Sequence, residues 1–235
     1  MTKQLTIGLV VPFSTDKVPD EGPMMYPGVK FIPRAVGVRA LTPEGYDAAW
    51  NGILPAAKQL AKEGVDAIMV IGTSLTFYRG PGAHDRLLEQ LRARTGLPVS
   101  TMSAAIIDSL RAVGASRVAV ATAYTDAVNR RLTELLEAAG LEVLALECFN
   151  LSGFGEPGSK SERDIIALSE KAVARASEAE GVLISCGGLR TLGVAKPLEE
   201  SCGIPVVSST PAAFWAAMRL VGESGQVAGR GRLLE

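Results

Sequence analysis

The chain has 235 residues, enough for one large or two small α/β domains with a sizeable core, and 47% of them are hydrophobic, as in a globular protein. Lys and Arg number 24 against 25 Asp and Glu, for a net charge of −1, and no basic stripe or tail stands out. That balance argues against nucleic acid as a partner, and no apolar run reaches the ~18 residues of a membrane span.

In chain order, the first strand candidate is the apolar run 5–11. No signal peptide is expected there, because the run is short and no small-residue cleavage site follows. Residues 12–41 form a Pro- and Gly-rich stretch with little periodicity, and such stretches are usually functional or disordered. Its Phe13, Met24, Met25, Tyr26 and Phe31 predict an ordered lid. A helix is expected over 43–63, with Thr42 as N-cap, Pro43 in its first position and apolar residues from Tyr46 to Leu60 at three- and four-residue spacing. Further strands are expected at 67–71, 99–101, 118–121, 143–146, 182–185 and 206–208. Further helices are expected at roughly 85–94, 104–113, 126–139, 163–178 and 211–221, with Gly96, Gly114, Gly140 and Gly222 as stops. A second loop, 150–161, carries Phe154, and the glycine-rich tail 223–235 is expected to be partly mobile. Apolar strands alternating with helices predict an α/β fold with parallel sheets covered on both faces.

The chain also repeats itself. Gly96-Leu97-Pro98-Val99-Ser100-Thr101 is echoed by Gly203-Ile204-Pro205-Val206-Val207-Ser208, and each copy leads to an Ala-Ala pair. Upstream of each copy a strand ends in small residues, Gly72-Thr73-Ser74 and Cys186-Gly187-Gly188. Ligands of open parallel sheets bind beyond the carboxyl ends of strands, so two facing halves would line one cleft with these turns. Ordinary strand-to-helix turns without a ligand account for them equally well.

Few residues could carry chemistry. Cys186 precedes two glycines whose backbone N–H groups could bind an anion, and a thiol there could act as nucleophile, acid or base, or pack as a small hydrophobe. Cys148 and Cys202 fit structural packing better. The three cysteines form no CxxC pair, which fits a reducing, cytoplasmic setting. Thr73 and Ser74 offer hydroxyl donors or a helix cap, and Tyr124 follows another strand end. His84, the sole histidine, is expected at the surface, beside Arg79 in a glycine-rich loop. No multi-histidine metal site is possible, and no GxGxxG or P-loop sequence occurs.

The segments Gly72-Thr73-Ser74-Leu75-Thr76-Phe77-Tyr78-Arg79-Gly80 and Ser185-Cys186-Gly187-Gly188-Leu189 closely resemble the signatures of the arylmalonate decarboxylase family, within the aspartate/glutamate racemase superfamily. So do Thr42-Pro43-Glu44-Gly45-Tyr46-Asp47, Thr101-Met102-Ser103, Ala121-Thr122-Ala123-Tyr124, Pro205-Val206-Val207-Ser208-Ser209 and Gly231-Arg232-Leu233, in order along the chain. The resemblance implies two pseudo-symmetric Rossmann-like halves, each with a four-stranded, mainly parallel sheet: 1–105 plus 212–235, and 106–211. The active site would lie between them. Racemases of the superfamily use one cysteine from each half, whereas here Gly72 faces Cys186.

By the same resemblance, a disubstituted malonate would lose CO2 without metal or organic cofactor. Thr73, Ser74, Tyr124 and Gly187 would hold the retained carboxylate and the ensuing enediolate, and Cys186 would protonate one face. Gly72, Pro12, Phe13, Val38, Leu41, Tyr46, Phe154, Pro157 and Gly188 match pocket positions. Phe13, Leu41, Phe154 and Pro157 depart from the family's side chains, which narrows the range of aryl groups expected to fit. The partner expected from the resemblance is a small malonate-type dicarboxylate, with oligomeric state open and a monomer compatible with it. An isomerase or racemase of the same superfamily, and a non-catalytic dicarboxylate-binding protein, are the alternatives.

Overall fold

A computed structural model describes residues 4–40 and 43–235. Among these residues, eight strands form two four-stranded, wholly parallel sheets. The first contains β1 (Thr6–Val11), β2 (Lys30–Ala35), β3 (Ala67–Val70) and β4 (Val99–Thr101), in the order β2-β1-β3-β4. The second contains β5 (Arg117–Thr122), β6 (Glu142–Cys148), β7 (Gly181–Ser185) and β8 (Val206–Ser208), in the order β6-β5-β7-β8. The two orders match position for position, so the sequence repeat corresponds to a structural one. The central strands β3 and β7 are buried along their whole length, which is why they read as unbroken apolar runs.

Nine α-helices are present among the described residues: α1 (Glu21–Met25), α2 (Pro43–Lys62), α3 (Thr73–Phe77), α4 (Pro81–Thr95), α5 (Met102–Ala112), α6 (Asp126–Ala138), α7 (Glu162–Ala174), α8 (Ala195–Cys202) and α9 (Ser209–Leu220). Helices α5 and α9 leave the last strand of each sheet, pack on one another and touch strands of both sheets. The Thr101 side chain caps α5 by accepting from the Ala104 N–H at 3.0 Å. Thr42, expected to cap α2, lies outside the described residues.

Three expectations are corrected. Residues 12–41 are no continuous loop: they contain α1 and β2. Strand β2 is an edge strand carrying Pro33, Lys30 and Arg34, and an edge position tolerates both a missing N–H and charge while hiding the apolar pattern of a strand. His84 is no surface residue. Pro81 starts α4 four residues earlier than expected, which turns the imidazole inward; it is 4% exposed, with Nε2 2.7 Å from the Thr101 hydroxyl. The tail is fastened rather than loose. The Val227 N–H donates to the Leu234 carbonyl at 2.7 Å, Leu234 is buried, and the Glu199 carboxylate accepts from the Arg232 N–H.

Candidate active site

The ends of β3 and β7 meet across one cavity of about 560 Å3, open mouth included. It is lined by Pro12, Phe13, Val38, Tyr46, Gly72, Thr73, Ser74, Phe154, Pro157, Cys186, Gly187 and Gly188, all named from the sequence, together with Ile71 and Leu75, which were not. Those two follow from position alone: Ile71 ends the β3 apolar run and Leu75 lies one residue beyond the Thr73–Ser74 pair. Leu41 falls outside the described residues. No lining side chain among the described residues is charged, so an anion would meet only neutral donors.

On the first half, Gly72 stands at φ 116°, a conformation that strains any side chain, and its open backbone lets the chain turn straight into α3. Thr73 is 1% exposed; its hydroxyl lies 3.0 Å from the Met102 sulfur and 3.1 Å from the Ser209 hydroxyl. Beneath it, the Thr76 and Ser103 hydroxyls stand 2.6 Å apart, and Ser103 donates to the Thr73 carbonyl at 3.1 Å. This hydroxyl cluster holds the turn. It was foreshadowed only by the Ser-Thr-Met-Ser and Ser-Ser-Thr runs of the repeat. Ser74 lies towards the cavity beside Tyr46, whose buried hydroxyl has no hydrogen-bond partner at bonding geometry among the described residues. Burial pushes the Tyr46 phenol up to about 12, so it stays a neutral donor.

On the second half, Cys186 is 8% exposed. Burial dominates its titration and pushes the thiol up to about 11, against the opposing pull of the Gly188 and Leu189 N–H groups and the Tyr124 hydroxyl. The sulfur is therefore a thiol near neutrality, with hydrogen-bond donors already aimed at it. Both glycines permit close approach. A Cβ at Gly187 would come within 3.2 Å of the Met102 sulfur, and one at Gly188 within 3.1 Å of Pro157. Tyr124 does not line the cavity. It is 1% exposed behind the wall, its hydroxyl 3.4 Å from that of Ser185 and its ring edge-on to Phe77 at 5.8 Å. Its neighbours nevertheless include Thr73 and Cys186, so it sits beneath both turns at once.

At the mouth, Phe13 from the first half meets Phe154 from the second, ring centroids 6.4 Å apart and planes at 79°. Cys148 and Cys202 are half-buried and stand apart from the cavity, and Arg79 pairs with Asp47 at 2.6 Å. His84 faces a different groove, between α4, α5 and α6.

Comparison with known proteins identifies the family and the fold. The family model described as arylmalonate decarboxylase matches residues 7–234. An arylmalonate decarboxylase of Bordetella bronchiseptica is 40% identical, over 98% of this chain and 96% of that one. A liganded double variant of arylmalonate decarboxylase superposes with a TM-score of 0.96 at 39% identity, covering 98% of this chain and 99% of the other. A maleate isomerase of Nocardia farcinica is 28% identical, over 97% of this chain and 94% of its own. With nearly every residue inside one family model and one fold, the chain belongs to the arylmalonate decarboxylase family and is a decarboxylase.

Proposed function

We propose that the chain converts α-aryl or α-vinyl, α-substituted malonates into single-enantiomer 2-substituted carboxylic acids and CO2, without a cofactor. One observation carries this reading: a protonated thiol and a hydroxyl-rich turn line the same uncharged cavity, with a glycine where a second thiol would stand.

The substrate's retained carboxylate binds at Thr73, Ser74 and the N–H groups around Gly187, with Tyr124 supporting that cradle from behind. Val38, Tyr46 and Leu75 surround the departing carboxylate with largely apolar surface, where a charged group is poorly solvated and its loss as neutral CO2 is favoured. The C–C bond breaks heterolytically, and its electron pair enters the retained carboxylate as an enediolate. Preorganised donors stabilise that developing charge, each contributing about 3 kcal/mol in comparable sites. Cys186 then gives its proton to the α-carbon from the β7 side, and the resulting thiolate recovers a proton from water. A thiol held near 11 remains protonated until this step and is a far stronger acid than the carbon it protonates.

The test is incubation with phenylmalonate and methylphenylmalonate, following CO2 and product chirality for the wild type and Cys186→Ser. Rapid CO2 release, one enantiomer, no effect of chelators and a loss of at least ~10³-fold in the variant are expected. Unimpaired turnover by Cys186→Ser, or inhibition by chelators, overturns the reading. Maleate serves as the control for the isomerase alternative, which needs a second acid or base opposite Cys186.

A further inference from the structure

The loop from Cys186 to Leu192 carries the thiol and its N–H donors, yet it belongs to no helix or strand. Internally it is braced by a turn in which the Leu189 N–H donates to the Cys186 carbonyl at 3.1 Å. Further along, the Thr191 and Leu192 N–H groups both donate to one oxygen, Glu21 Oε1, each at 2.7 Å. Glu21 opens α1, on the connection between β1 and β2, 170 residues away in sequence. The Thr210 hydroxyl lies between the Glu21 carboxyl and the Gly187 carbonyl, which it approaches at 3.4 Å.

The platform beneath Glu21 is closely packed. A Cβ on Gly22 would fall 2.4 Å from the Phe214 ring, so this segment is pressed against α9. Tyr26, which follows α1, donates to the Gly225 carbonyl at 2.7 Å. A carboxyl so placed keeps its hydrogen bonds although desolvation and nearby Glu162 both disfavour its charge.

We propose that Glu21 is a positioning residue: it reaches from the first half to hold the 186–192 loop of the second, so that the Cys186 thiol keeps its aim at the substrate carbon and the Gly187 N–H its place beside the substrate carboxylate. It touches no reacting atom. The inference rests on the decarboxylation reading, but half of its test does not.

The experiment compares Glu21→Leu and Glu21→Gln in the full chain. Glutamine keeps an acceptor oxygen for both N–H groups, whereas leucine keeps none. With methylphenylmalonate, Glu21→Leu is expected to lower kcat by about 10- to 100-fold, to move KM by less, and to erode enantiomeric purity, since an ångström of misplacement costs about that much. Glu21→Gln should stay within about threefold of wild type, in line with the hydrogen bonds it retains. Independently of any substrate, peptide-resolved alkylation should find Cys186 modified faster at a given pH in Glu21→Leu and unchanged in Glu21→Gln. If Glu21→Leu does not fold, Glu21→Ser carries the same expectation. Wild-type kcat, chirality and alkylation in the leucine variant overturn the positioning role. A Cys186→Ser enzyme that still turns over, beside a Glu21→Leu variant with faster alkylation, overturns the chemistry and leaves the positioning role standing.

Discussion

The two halves share strand order but finish their equivalent strands differently. After β3 the chain enters α3 at once, and Thr73, Thr76, Ser103 and Ser209 lock that turn into a hydroxyl cluster. After β7 the chain enters an irregular loop, braced across the cleft by Glu21, and carries the cavity's one cysteine. On the proposed mechanism, one half supplies fixed dipoles and the other the transferable proton. An asymmetric reaction suits such an asymmetric repeat: a racemase needs acids on both sides, whereas stereospecific protonation needs one.

The largest effect should come from reversing that division. Gly72→Cys combined with Cys186→Ser moves the sole cleft thiol to the opposite turn, so the opposite product enantiomer is expected by chiral chromatography. The rate should fall by at least ~10²-fold, because φ 116° strains any side chain and a Cβ would stand 3.3 Å from Leu75. An unchanged enantiomer would break the comparison outright.

Next comes the donor side. The Thr73 hydroxyl already has Met102 and Ser209 as neighbours, while Ser74 lies towards the cavity beside Tyr46. Ser74→Ala should therefore cost about 10²-fold in kcat, as loss of one oxyanion donor does elsewhere. Thr73→Ala should cost less in kcat but lower stability by about 1 kcal/mol, through the buried hydrogen bond to Ser209 that it removes. Steady-state kinetics and thermal melts separate the two, and the reverse ranking would reassign the donors.

A smaller effect on rate is expected from Gly72→Ala alone. Its penalty should be conformational, about 1–3 kcal/mol of stability measured by denaturant titration, for a residue forced into a left-handed backbone. Chirality of the product should not change, because no acid has been added.

Much of this division is legible in the sequence, and its limits are physical. The central strands are, because burial on both faces makes them continuous apolar runs. Strand β2 is not, because an edge position lets Pro33 and two basic residues interrupt the pattern. Cys186, Gly72, Thr73 and Ser74 are legible as strand-end turns in a repeat, and their resemblance to one family is what implies a role for such turns. Glu21 is invisible by any local rule, since its partners lie 170 and 171 residues away. Tyr124 reads as a cleft residue because it follows a strand end, but it packs against Ser185 and Phe77 behind the cavity lining.

His84 shows the same limit and offers the last, smallest test of the two halves. Each half ties its penultimate helix to its last strand through a buried polar side chain. In the first, His84 of α4 meets the Thr101 hydroxyl at 2.7 Å; in the second, Glu199 of α8 accepts from the Val206 N–H at 2.8 Å. The Thr101 oxygen already accepts from the Ala104 N–H, so its own proton is free for a neutral imidazole nitrogen. A protonated ring would instead offer that oxygen a second donor. Desolvation, outweighing nearby Asp85, lowers the His84 pKa from its ordinary 6.5. The sign follows from linkage: the unfolded chain takes up the proton first, so stability present above pH 6.5 is lost as pH falls towards the lowered folded value. One proton limits the slope to about 1.4 kcal/mol per pH unit, or a few degrees of Tm in a chain this long. Wild type should therefore lose Tm more steeply than His84→Gln as pH drops below 6.5, whatever the two values are at pH 7.5. Parallel slopes would mean that His84 does not contribute to the acid sensitivity of the fold.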